Sequence, residues 1–397
     1  MVTRQLPLLV SALLVLPALA HAQDSAHVQT VLVTGKALAE TESQLKACLA
    51  RNCPPREDID ASLAHAENQF IAGEYHAARS TLAAARGRNA RYASQYPVEV
   101  ADLIRAYGRL TDLDGYRNLS RLLQIESLDA LKAGLDQGDS RVLMQRLMTG
   151  DEFARSGQIV AAINVYRKVA KQADKAKLPQ VRGHAMFREA VLYGAVSEVR
   201  LAYRSTAEDA IRRIEKTTQP ELGPFREAAG MLRASLASAR GDKQAIDKAV
   251  ASLGTKVNKP VLIYAPTVQV DQANVAPTGI GLASLGLDTG PQWIDVRFRI
   301  AADGTVHDVE TLRQSDTVHG IWPKKVHEAL AGRRYAPLRL AADDDGLARI
   351  ERFTMVFDTH TPTGSRLRSL TLVGRLSSID LTPEPAGSTP RDSNKGG

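Results

Sequence analysis

Three scarcities bound what this 397-residue chain can be. Aromatic residues make up only 5% of it, and no Lys/Arg block interleaves with them, so stacked nucleic-acid bases would find little support. The net charge of +7 is spread along the chain. It fits solvated helix faces with mild attraction to an anionic membrane surface, and no nucleic-acid partner is expected. Long apolar runs are equally scarce. Residues 6–19 form the longest, short of the ~20 residues that cross a bilayer. Arg4 precedes this run and Ala20-His21-Ala22 follows it, the pattern of a secretory signal cleaved before Gln23. The expected location is therefore the periplasm, with retention of the segment as an anchor as the rival reading.

The third scarcity is cysteine: there are two, Cys48 and Cys53. In an exported protein so close a pair reads as a disulfide, contributing about 2 kcal/mol by loop closure. Zinc would need two further ligands, and His65 and His76 do not supply a recognisable spacing. Catalytic patterns are missing too. No serine lies in a G-x-S-x-G elbow, no H-E-x-x-H is present, and GIGLASLG (residues 279–286) lacks dinucleotide-loop spacing. Asp343-Asp344-Asp345 lacks the alternating ligands of a calcium loop and reads as a solvated turn. Neither enzymatic activity nor a cofactor is expected.

What is present divides into an α+β multidomain chain. A signal peptide (1–22) precedes an N-terminal segment with the expected disulfide (23–57). A helical-repeat domain (58–254), a linker with short strands (255–291), a small sheet domain (292–360), and an extension with a disordered tail (361–397) follow. In the repeat domain, residues 66–85 (AENQFIAGEYHAARSTLAAA) align with residues 150–170 (GDEFARSGQIVAAINVYRKVA). In the second copy Gly150, Phe153, Gly157, Ala162 and Tyr166 fall at tetratricopeptide-like spacings, small residues admitting close helices and aromatics filling between them. Plain helical hairpins are the alternative.

From Trp293 the period becomes two. Ile294, Val296, Phe298 and Ile300 alternate with Asp295, Arg297 and Arg299, which predicts a half-buried strand with a solvated polar face. Asp303-Gly304 predicts a turn and residues 305–313 a return strand, where the parities of Val306 and Val309 call for a bulge. Trp322, Val326 and Leu330 form one stripe of a helix that has Pro323 in its first turn and Gly332 just past its end. Residues 348–357 complete a β-β-α-β order, with Phe353 and Met355 on one face. So small a sheet keeps an open edge.

These residues, WIDVRFRIAADGTVHDVETLRQS, EALAGRRYAPL and ARIERFTMVF, resemble the TonB C-terminal domain family over about 65 residues. The resemblance implies a periplasmic module that pairs a strand with an outer-membrane receptor or another protein, by β-augmentation. The candidate partner-binding residues are Arg297, Arg299, Arg334, Tyr335, Pro337, Phe353 and Met355. The expected function is a protein-binding adaptor, and an atypical TonB energy transducer with a retained anchor is the alternative. The run VQTVLVT (residues 28–34) loosely resembles the receptor segments such domains bind.

Overall fold

The computed structural model describes residues 37–242, 244–252, 257, 259–268, 291–340, 344–360 and 369–383. The signal segment, the 28–34 run, the GIGLASLG loop, Asp343 and the chain after residue 383 lie outside the described residues.

Helices come first: α1 (Leu38–Ala50), α2 (Pro55–Ala72), α3 (Tyr75–Asn89), α4 (Pro97–Leu113), α5 (Arg117–Gly134), α6 (Ser140–Arg155) and α7 (Ile159–Lys175). They continue through α8 (Pro179–Val199), α9 (Arg204–Glu215), α10 (Gly223–Ala239) and α11 (Ala245–Ala251). Pro55, Pro97 and Pro179 open α2, α4 and α8, where a missing N–H costs nothing. Between α1 and α2, Cys48 and Cys53 stand at disulfide distance, with Cα atoms 5.1 Å apart.

The helices form tandem hairpins whose turns are copies of one another. At Gly73 (φ 90°) the glycine N–H donates to Phe70 O, and the next N–H, from Glu74, reaches back to Gln69 O. This is a Schellman turn, which needs a left-handed residue at its centre. Gly115, Gly157 and Gly241 repeat it with the same donor–acceptor offsets. The four glycines are spaced by 42, 42 and twice 42 residues. At the missing place the chain turns through a 3₁₀ segment, Leu201–Tyr203, without glycine. The alignment of residues 66–85 with 150–170 thus spans two periods and passes over a full copy between them. The unit is longer than the ~34 residues of a tetratricopeptide, because its helices are longer. In register, Ala66, Gly108 and Gly150 hold the point where paired helices approach: a Cβ on Gly150 would lie 2.6 Å from the Tyr166 ring.

The second region contains β1 (Leu262–Tyr264), β2 (Gln292–Ile300), β3 (Val306–Gln314), α12 (Trp322–Ala331), β4 (Arg334–Tyr335), β5 (Leu347–His360) and β6 (Ser369–Asp380). Four strands pair antiparallel in the order β3-β2-β5-β6, and β1 pairs with β4. The register slips twice along β2–β3 and Asp308 has φ 52°, so the expected irregularity is present. The α12 stripe of Trp322, Val326 and Leu330 is buried against Ile294, Val296 and Phe298. The chain is therefore a helical-repeat region followed by a small sheet region.

Two expectations are corrected. The stretch 361–397 is not only extension and tail, since Ser369–Asp380 is a full strand on the edge of β5 and Leu381 is buried. The order is accordingly richer than β-β-α-β. The polar face of β2 is also not simply solvated: Asp295 is buried, because this side of the sheet lies on the helices rather than in water.

Candidate functional site

The sheet meets the helices at the first two repeat turns. Trp293, Val356 and Leu381 join the apolar core of α2 to α5. A Cβ on Gly73 would lie 2.7 Å from the Trp293 ring, and one on Gly115 would strike the backbone of Phe357. At Gly157 and Gly241 nothing among the described residues lies within reach. The same turn thus serves as a docking platform in two copies and stays open in the others.

At the centre of this junction Arg352 is fully buried. Its guanidinium forks onto Asp295 at 2.6 and 2.9 Å, and stacks over the Trp293 ring at 3.9 Å. It also donates to Phe70 O and Ile71 O, carbonyls of the last turn of α2. A cation there gives the last-turn carbonyls a charged donor and complements the helix dipole. Arg313 adds a second contact to Asp295 at 2.6 Å. Tyr75 Oη and Thr354 Oγ1 lie 2.8 Å apart, and burial pushes the tyrosine up to about 12. At the second turn Thr359 N–H donates to Gly115 O, and Arg375 binds Asp112 O at 2.6 Å and Asp358 at 3.0 Å. Sequence reasoning missed this network, because Asp295 and Arg352 face each other only once β2 and β5 are paired in register.

The sequence-predicted residues separate into two groups. Tyr335, Phe353 and Met355 are core residues packed beneath α12, which corrects their reading as partner contacts: a partner could not touch them without opening the domain. Burial pushes Tyr335 up to about 12. The other four reach the surface. Arg297 is exposed and pairs with Glu310, Arg299 donates to Gly346 O at 3.2 Å, Arg334 lies 3.5 Å from Asp247, and Pro337 is half-buried. They do not converge on one cavity.

What the sheet does offer is backbone. β3 ends the strand order, and Glu310 to Gln314 are exposed along it, Leu312 among them. Its start is covered by a bridge between Thr305 and Arg334, and Thr311 Oγ1 lies 2.9 Å from His327. Among the described residues no strand pairs with the rest of this outer edge, whose ladder groups can receive an extended segment.

The repeat helices carry a second charged row. Glu67, Arg109 and Asp151 occupy one repeat position on α2, α4 and α6. Asp151 accepts from Tyr166 Oη at 2.7 Å and from Arg188 at 3.1 Å. Desolvation raises Glu67 to about 7 against the pull of Arg109, and its Oε1 is buried with no hydrogen-bond partner among the described residues. Burial likewise lowers Arg105 to about 10. Among the described residues no cluster of His, Cys, Asp and Glu could hold a metal ion, and no helix is long and apolar enough to cross a membrane.

No protein-family model matches the chain, and no curated protein matches it closely. Among solved structures the chain is similar to BtubC (BKLC) from P. vanneervenii, at 14% identity and a TM-score of 0.40, covering 59% of this chain and 96% of that one. It is also similar to a Podosopora anserina putative kinesin light chain with nearly identical TPR-like repeats, at 16% identity and a TM-score of 0.35, covering 54% and 94%.

Proposed function

We propose that this protein is an exported, periplasmic adaptor in which a TonB-like sheet captures an extended segment of an outer-membrane receptor or another protein by strand addition. The observation that carries the proposal is the open β3 edge on a sheet clamped between α12 and the repeat turns. A rigidly held edge binds an extended segment with little ordering cost on its own side. Backbone pairing supplies the affinity, and the exposed charges of Arg297 and Glu310 beside the edge set the register of the incoming strand. The α2–α7 hairpins act as the mount, and their open third turn leaves room for a larger partner.

The test is site-specific photo-crosslinking in cells. A crosslinker at Leu312 should yield a product containing a receptor's N-terminal peptide, and a proline at Thr311 should weaken it. A crosslinker at Leu312 that gives no product, while positions on the repeats do, would overturn strand capture by this edge.

A further inference from the structure

The hairpins segregate charge by helix. The second helices, α3, α5, α7 and α9, carry thirteen Lys/Arg against six Asp/Glu. The first helices, α2, α4, α6 and α8, carry eight against eleven. First helices also pack on one another, α2 on α4 and α6 on α8, so they form the inner layer and the second helices the outer one. The outer layer is therefore the cationic one.

One outer helix carries large apolar side chains where its repeat mates do not. On α5, Leu119, Leu122 and Ile125 are 41%, 59% and 42% exposed. The same three positions are Ala77, Ser80 and Ala83 on α3, and Ala161, Asn164 and Arg167 on α7. The repeat scaffold therefore does not require large apolar side chains there. At the start of α7, Val160 is 73% exposed. Further along α7, Lys168, Lys171 and Lys175 are exposed and have no salt-bridge partner among the described residues.

We infer that this outer face, α5 with α7, binds the surface of an anionic lipid bilayer. Apolar side chains at the headgroup boundary, flanked by lysines whose stems stay in the apolar layer and whose ammonium groups meet lipid phosphate, are the chemistry of interfacial attachment. An acidic protein would use the charge but leaves the apolar row unexplained. Nucleic acid would use the phosphate contacts, yet this face exposes no aromatic side chain for stacking: Tyr166, the aromatic of α7, is buried. The proposal is independent of strand capture at β3.

The experiment is co-sedimentation of the chain beginning at Gln23 with vesicles of phosphatidylglycerol and phosphatidylcholine, against vesicles of phosphatidylcholine alone. Binding should require the anionic lipid and weaken with salt. Changing Lys168, Lys171 and Lys175 together to Gln should lower it about a hundredfold, at roughly fivefold per lysine. Leu119, Leu122 and Ile125 changed together to Ser should lower it at least tenfold, with the thermal melt unchanged. No partition onto anionic vesicles would overturn the inference. So would full binding by both variants, or equal binding to duplex DNA that the serine variant retains.

Discussion

Arg352 decides more at the residue scale than any side chain singled out by pattern. It is fully buried with Asp295, and it also answers the last carbonyls of α2. Removing one partner of a buried pair leaves the other charge uncompensated, so Arg352→Met should cost about 3–5 kcal/mol. Arg297→Met, one strand away on an exposed pair with Glu310, should cost no more than about 1 kcal/mol. Urea midpoints of the two variants check this, and equal midpoints would show that Arg352 is not the anchor. Glu67 makes the second residue-scale case. Its folded pKa of about 7 lies above the ordinary 4.5, so the folded state holds this proton more tightly. The resulting stabilisation is complete below about 4.5 and is lost as pH rises through 7. Glu67→Gln mimics the neutral form. It should raise stability at pH 8 by about 1–3 kcal/mol and change little at pH 4, measured by denaturation at both. Loss of stability at pH 8 would mean that the carboxylate is used, not merely tolerated.

At the scale of elements, the repeat turn offers a controlled comparison. Gly115 and Gly157 have almost the same conformation, φ 79° and 76°. Alanine at Gly157 meets only the backbone strain of a left-handed residue, about 1–2 kcal/mol. Alanine at Gly115 meets that strain and the backbone of Phe357 as well. Gly115→Ala should therefore lower the melting temperature well beyond Gly157→Ala and should increase exchange of the Thr359 amide, which donates to Gly115 O. Equal melts would separate the sheet from the turn. The same elements show what was legible in the sequence. The α12 stripe, the Asp303-Gly304 turn and the hairpin glycines at 73 and 157 are local signals, because a few adjacent residues determine each. β6 was legible in part: SLTLVGRL alternates, yet the TonB-like resemblance ends before it. Asp295 and Arg352 were not legible, since alternation gives the same pattern whether a polar face meets water or the carbonyl end of a helix. The copy between residues 66–85 and 150–170 escaped notice because its helix-pair contacts use Gln124 where the others have Leu82 and Tyr166, so composition hid what the 42-residue spacing preserves.

At the scale of the molecule, the question is whether sheet and repeats are one folding unit. Trp293, Val356 and Leu381 share a core with Leu103, Ile104 and Leu131 of α4 and α5, whereas Ile211 belongs to the separate core of α6 to α10. Both tryptophans of the chain, Trp293 at the junction and Trp322 at the start of α12, lie in the sheet region, so their fluorescence reports that region and, through Trp293, its junction with the first repeats. Leu103→Ala empties a fully buried site on α4 and should cost about 2–5 kcal/mol. If the first two repeats and the sheet unfold together, the tryptophan transition must move by that whole amount. Ile211→Ala leaves a comparable cavity on α9, beyond the shared core, and should move the helical circular-dichroism signal while leaving the tryptophan midpoint nearly in place. The pair distinguishes cooperative coupling from general weakening of the chain. A tryptophan midpoint unmoved by Leu103→Ala would make the sheet an independent domain, and the junction built on Arg352 a contact between two separately stable bodies.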